Sequence, residues 1–476
     1  VTSRTVSPPG RTHSPHGPAL FTVGIIVLAL NLRAAITGLP PLFPELQSGL
    51  HLTAAAISVL AAVPVLCFGI FSAVAAPLSR AFGEERVLGA ALLVLAAGLI
   101  MRGAAPAELL FAGSVVAAAA IALLNVLLPS LVKRRRPDRA GVLIGMYLLA
   151  LSAGAIAASL VAVPVFTAAG KSEDALRLIL GMWAVPALFA AVLWLPQLRY
   201  RTVPRRERTA RAGSAGTVPP HQPGFAGPEP PDQPGLAGTV PPDQPGSAGA
   251  GPRDQPGAAG PEPPARPAPG AAVVPPARRS TGALAMGRHA LAWQVTLFMG
   301  LQSLLYYATV SWLPTLFRDR GVSAAGAGDL LALMNLGNGV TALLVPMLAH
   351  RARDQRLLVL LTVAGTGVGL VGAAFGPLAS AIPFVIVLGL GQGAALGLAI
   401  FYTVARAPSP AAAASLSAFA QSTGYLIATA GPLAVGFLHA ATGGWAVPVW
   451  VLVAVLAFEL VTGWLGGRDR ALPVAT

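Results

Sequence analysis

Apolar runs interrupted by only a few polar residues recur from Ala19 to Gly466, and short polar turns separate them. A helix needs about 20 such residues to cross a hydrocarbon layer of roughly 30 Å. The pattern therefore predicts twelve spans, at Ala19–Leu39, Ala54–Pro77, Val87–Met101, Ala107–Val132, Ala140–Ala168, Ala175–Leu198, Arg288–Phe317, Ala325–Ala349, Arg356–Phe375, Ala381–Val404, Pro410–Ala440 and Trp445–Gly466. The expected fold is all-α: a polytopic membrane protein of twelve transmembrane helices in two pseudo-symmetric six-helix bundles. Prolines inside the runs, such as Pro129, Pro164 and Pro432, are compatible with this because neighbouring helices satisfy the freed backbone groups. The first run is too long for a signal h-region and no small-residue cleavage site follows, so an uncleaved span is expected.

The spans fall into halves of nearly equal length, residues 19–198 and 288–466, flanked by tails at 1–18 and 467–476. "APLSRAFGEERVL" after the second span echoes "VPMLAHRARDQRLL" after the eighth, and such repetition predicts a duplicated transporter with its site between the halves. Between them lies a Pro/Gly-rich segment, 199–287, in which "HQPG" at His221 returns as "DQPG" at Asp232, Asp243 and Asp254. The 11-residue spacing cannot mark a continuous helix, since every repeat contains proline. A disordered, partly polyproline-like cytoplasmic tether is expected, with a docking role for its repeats as an alternative.

Composition strengthens the membrane assignment, because 55% hydrophobic and 11% charged residues leave too little charge to cover a soluble protein of 476 residues. Mean hydropathy is +0.69. A net charge of +14 would suggest nucleic acid for a soluble chain, but here it reports orientation. Twenty-six of the 32 Lys and Arg fall in segments on one side of the predicted spans and five on the other, and the bias persists without the long central segment. Both termini are thus expected in the cytoplasm, the protein being multi-pass in the cytoplasmic (inner) membrane. Cys67 lies in an apolar run and is expected to pack as a small hydrophobe.

Enzymatic signatures fail on spacing. "AGKSE" at Ala169 lacks the first Walker glycine, Val165 standing in its place, and "ALSAG" at Ala150 lacks the first glycine of a nucleophile elbow. The seven histidines show no zinc-site spacing, and "GLGQGAALG" from Gly389 lies within a span, where small residues serve close helix approach. No catalytic residue, metal or cofactor is expected.

Candidate chemistry instead centres on "LALNLRAAIT", which sets Arg33 roughly 20 Å into the first span. Snorkelling is one reading, but helical side chains lean toward the helix N-terminus, here away from the nearer surface. Burial beside a water-filled cavity is the other. The six N-terminal spans hold no carboxylate except Glu108 at a mouth, and the other half offers Asp329 and Glu459. The substrate itself is therefore expected to neutralise Arg33. A planar fork of donors suits a small carboxylate, cyanate-like anion or nitro group. Thr37 shares the face of Arg33, whereas Asn31 points elsewhere. Asn125, Tyr147 and Ser152, the pairs Gln302/Tyr306 and Asn335/Asn338, and Gln421/Tyr425 are further candidates for substrate binding. Interhelical hydrogen bonding is the alternative reading for each.

These residues resemble the major facilitator superfamily and, within it, its cyanate and 2-nitroimidazole permease branch. The resemblance rests on "NLRAAITGLPPLFPEL", where Ala34 stands in place of an expected proline, on "NVLLPSLVKRRRP" from Asn125, on "GVLIGMYLLALSAGAIA" from Gly141, and on "QSTGYLIATAGPLAVGFLHAATGGW" from Gln421. It implies alternating access, with the two bundles rocking about a midplane site bearing Arg33 and Asn125 on one side and Gln302, Asn335 and Gln421 on the other. Arg80, Arg86, Arg351 and Arg356 in the paired turns are candidate gating residues, or simple topology determinants. The expected function is secondary active transport of a small anionic or polar compound by a monomer, with a coupled proton as an open possibility. A multidrug permease for lipophilic compounds and a non-transporting scaffold with an interaction tether are the alternatives.

Overall fold

A computed structural model describes residues 17–104, 106–199 and 283–473, and every regular element among them is helical. The repeats at His221, Asp232, Asp243 and Asp254 lie outside the described residues. In the first half the helices are α1 (Gly17–Thr37), the short α2 (Phe43–Gly49), α3 (Ala54–Phe82), α4 (Glu84–Arg102), α5 (Ala107–Arg135), α6 (Ala140–Ala168), α7 (Glu173–Met182) and α8 (Ala184–Trp194). The second half contributes α9 (Ala290–Asp319), α10 (Ala324–Arg351), α11 (Arg356–Phe375), α12 (Ala381–Ala405), α13 (Pro410–Ala428), α14 (Ala430–Thr442) and α15 (Ala446–Gly466). Ten spans are long and apolar enough to cross a membrane, and α4 and α9 complete twelve among the described residues.

Two spans differ from the single helices predicted for them. The sixth breaks between α7 and α8 at Trp183 and the eleventh between α13 and α14 at Thr429. Each break lies three residues before a proline, Pro186 or Pro432, whose missing N–H cannot bond the carbonyl four residues earlier. The remaining boundaries agree within five residues: the second span extends from Pro77 to Phe82, the first helix ends at Thr37 instead of Leu39, and Ala140–Ala168 and Arg356–Phe375 are unchanged.

The halves repeat each other in detail. The turn before α3 places His51 at φ 53° and the turn before α10 places Gly321 at φ 90°, each two residues ahead of a capping hydroxyl. Thr53 then accepts from the Ala56 N–H and Ser323 from the Gly326 N–H, both at 3.1 Å. Within the first half α1 packs on α6, α3 on α5, α4 on α5 and α4 on α8; the second half pairs α9 with α13, α10 with α12, α11 with α12 and α11 with α15. Across the halves, α6 meets α10, while α3 meets α13 and α14.

Small residues set these approaches. A Cβ on Gly154 of α6 would lie 2.1 Å from the Leu30 carbonyl oxygen of α1, and one on Gly393 of α12 would lie 2.0 Å from the Asn338 oxygen of α10. Side chains such as Leu93, Val185, Leu361 and Phe458 point outward, as expected of a lipid-facing surface.

The halves close on each other at one end. There Arg318 bonds Glu45, Phe43 packs edge-on against Trp312 at 5.7 Å, and the Trp312 indole donates to the Pro432 carbonyl at 2.9 Å. Toward the opposite end α3, α6 and α10 are increasingly exposed: α10 beyond Gly339 buries only Val345 and Ala349, and a Cβ on Gly141 would meet nothing within 4 Å.

Candidate functional site

Helices α1, α6, α9 and α10 bring the site together. On α1, Thr37 donates to the Ala155 carbonyl of α6 at 3.2 Å and to the Arg33 carbonyl at 2.9 Å, anchoring the turn that carries Arg33. Helix α9 is buried along most of Val295 to Phe317, so the adjacent Tyr306 and Tyr307 both face protein. On α10, the Asn335 amide donates to the Leu331 carbonyl at 2.9 Å, which fixes its Oδ1 as an acceptor for the Tyr306 hydroxyl at 3.0 Å.

Arg33 Nη1 reaches across the boundary between the halves and donates to Tyr306 Oη. Its Cζ lies 4.9 Å from the centroid of the same ring, a cation–π distance. A cavity of about 30 Å³ opens beside this contact, lined by Arg33, Ser152, Tyr306, Asn335 and Asn338 together with apolar side chains. The Asn338 Nδ2 is buried with no hydrogen-bond partner, a free donor in a residue that lines the cavity. Tyr147, Tyr307 and Tyr425 also lie in the neighbourhood of Arg33. Phe68 of α3 and Tyr425 of α13 meet edge-on at 5.6 Å, and Tyr307 joins both, at 6.1 Å from Phe68 and 6.3 Å from Tyr425.

No ion pair to Arg33 occurs among the described residues, and no carboxylate lines its cavity. Glu459 is buried in α15, which packs on α9, α11 and α14.

The sequence candidates divide clearly. Arg33, Tyr306, Asn335 and Asn338 share the cavity. Tyr147 donates to Asn125 Oδ1 at 2.9 Å, linking α6 to α5, and Tyr425 belongs to the ring cluster. Thr37 is bound to α6 as described, Gln302 donates to Ser303 Oγ at 2.7 Å and the Met299 carbonyl at 3.1 Å, and Gln421 donates to Ser417 Oγ at 2.8 Å. Of those three only Thr37 makes an interhelical bond, Gln302 and Gln421 bond within their own helices, and none of them lines the cavity. Asn31 donates to the Val27 carbonyl at 2.8 Å and the Pro186 carbonyl at 3.2 Å, turned away from Arg33 as its helical position predicts.

Ser152, a candidate of the fifth span, lines the cavity, whereas Tyr307 and Phe68 were not among the predicted site residues. The doubled Tyr306-Tyr307 was visible, but one helical face cannot present both, and only burial of α9 on several sides makes both interior.

Of the candidate gating residues, Arg80, Arg86 and Arg351 are exposed, and Arg356 pairs with Asp354 at 3.6 Å. The polar networks in the paired turns stay within one half. Glu84 receives Arg134 at 3.1 Å and Ser130 at 3.0 Å, while Arg406 bonds Gln355 and donates to the Gly466 carbonyl at 3.0 Å.

The Major Facilitator Superfamily model matches residues 24–432. The chain belongs to the major facilitator superfamily. The 2-nitroimidazole transporter of Escherichia coli K12 is 33% identical over 453 residues, covering 95% of this chain and 96% of that protein. The cyanate transport protein of the same organism is 24% identical over 442 residues, 92% of this chain and 95% of that one. Among solved structures, a bacterial homolog of the human lysosomal transporter Spinster, inward-facing and unoccupied, aligns with a TM-score of 0.67 at 14% identity, covering 97% of this chain and all of its own. Membership makes this multi-pass membrane protein a transporter of small molecules rather than an enzyme.

Proposed function

We propose that the protein is a secondary permease that moves a small planar or linear compound, anionic or bearing a nitro group, across the cytoplasmic membrane by alternating access. The observation that carries this reading is a permanently charged Arg33 at a cavity between the halves, held by a neutral tyrosine hydroxyl with no carboxylate beside it. A guanidinium offers parallel donors to two oxygens at once, and carboxylate and nitro groups both present two. Of the compounds named for two relatives, 2-nitroimidazole carries such a pair of oxygens, and cyanate is an anion whose charged end a single guanidinium donor meets. Lipophilic cations fit poorly, because they would face Arg33 with no acid to receive them. The Lys and Arg asymmetry supports cytoplasmic termini, which would make the closed end the outer one and this conformation inward-facing.

Counterflow in proteoliposomes with cyanate, benzoate and 2-nitroimidazole tests the proposal. Arg33→Leu is expected to abolish transport. Arg33→Lys is expected to lose about 10- to 100-fold, because lysine keeps the charge but not the two-pronged geometry, and a charge-assisted hydrogen bond contributes about 1.5–3 kcal/mol. Normal transport by the lysine variant would overturn two-pronged recognition.

A further inference from the structure

We propose that the Tyr306 hydroxyl is a stand-in for the substrate: it occupies Arg33 when the carrier is empty and leaves it when an anion or nitro group binds. This inference rests on the permease reading above and adds a role for a side chain of the same site.

The cavity beside Arg33 measures about 30 Å³, space for little more than a water molecule. Tyr306 Oη engages Nη1 of Arg33, so an anion that takes the Nη1/Nη2 edge of the guanidinium has to displace the hydroxyl. An empty carrier also has to keep Arg33 stabilised through its return step. A bare guanidinium within the membrane interior is costly, so a resident acceptor stabilises the empty state. Tyr306 is built for that work. Its hydroxyl accepts from Arg33 and donates to Asn335 Oδ1 at 3.0 Å, and the Asn335 amide is in turn oriented by the Leu331 carbonyl at 2.9 Å. The chain Arg33, Tyr306, Asn335 runs from the first half into the second, so it also ties the halves together across the site.

A neutral phenol is a weaker acceptor for a guanidinium than an anion, so substrate displaces it, and on release the hydroxyl closes back on Arg33. The displaced Tyr306 frees Asn335 Oδ1 as an acceptor for the remainder of the compound, and Asn338, whose Nδ2 has no partner, lines the same cavity. Tyr306 thus weakens binding and speeds turnover, the opposite of a residue that simply holds substrate.

The test compares wild type, Tyr306→Phe and Arg33→Leu, each as full-length purified protein. Equilibrium binding of benzoate and 2-nitroimidazole is measured, followed by counterflow and net efflux from proteoliposomes. Phenylalanine keeps the ring that packs at 5.2 Å on Tyr307 and beneath the guanidinium. Tyr306→Phe is expected to bind the probes about tenfold more tightly, about 1.4 kcal/mol. Net efflux, which requires return of the empty carrier, is expected to fall about tenfold relative to counterflow. Weaker binding would make Tyr306 a direct ligand, and unchanged binding would make it structural; either result overturns the stand-in role. If Arg33→Leu binds the probes as well as wild type, the permease reading of the site fails. If Arg33→Leu loses binding while Tyr306→Phe gains none, the stand-in inference alone fails.

Discussion

A charged side chain inside a bilayer costs several kcal/mol unless water, a counter-charge or a ligand receives it. Arg33 meets that demand with a phenol, a π-face and a small cavity, and not with an acid. This residue was legible in the sequence because a guanidinium within an apolar run has few bland explanations. Its partners were less so. Asn335 and Asn338 stood out as polar residues in a span, but so did Gln302 and Gln421, which the structure ties to groups of their own helices. Nothing local separates the two kinds, since a helix turn offers every amide a backbone carbonyl to bond. What distinguishes Asn338 is an orphaned Nδ2, and that is a tertiary fact. Asn338→Ala is expected to raise the KM for transport about two- to tenfold, the range of one net hydrogen bond of 0.5–1.5 kcal/mol, with little change in thermal stability. Initial-rate uptake and a melting curve on the same preparation check both halves of that expectation.

Helices were the most legible level, because spans about 20 residues long leave little ambiguity in their number. The breaks at Trp183 and Thr429 were missed although Pro186 and Pro432 were in view, since transmembrane helices hold many prolines without breaking: Pro64 and Pro77 lie inside α3, and Pro164 inside α6. The glycines of "GLGQGAALG" do what their membrane setting predicts and let α12 approach α10 and α11. Gly393 abuts the backbone of Asn338, so its contact positions a cavity residue as well as two helices. Gly393→Ala forces helices apart against a carbonyl and is expected to cost about 1–3 kcal/mol, seen as a lower thermal midpoint in detergent and a loss of transport. Gly141→Ala, with open space around it, is expected to leave the midpoint unchanged or raise it slightly. The paired turns also changed meaning at this scale. Glu84, Gln355 and Arg406 bind within their own halves there, while Arg80, Arg86 and Arg351 are exposed.

Across the whole molecule, duplication was readable from equal halves and echoing turns, and the packing repeats it pair by pair. Which end is closed was not readable, because that depends on contacts between residues 273 positions apart, such as Arg318 with Glu45. If the halves rock about the site, this partly buried ion pair stabilises the closed end. In a Cys67→Ala background carrying Ser152→Cys as a reporter in the cavity wall, Glu45→Gln is expected to open that end several-fold. The rate at which a membrane-impermeant maleimide labels the reporter from that side measures the change, and a pair of this kind contributes about 1 kcal/mol. The central claim is that Arg33 is reserved for an electron-rich group on the cargo. Its most direct test is the affinity of benzoate relative to its neutral isostere benzamide, in wild type and in Arg33→Leu. The account predicts a preference for benzoate of at least tenfold in wild type that disappears in the leucine variant. An equal preference in both proteins would contradict it.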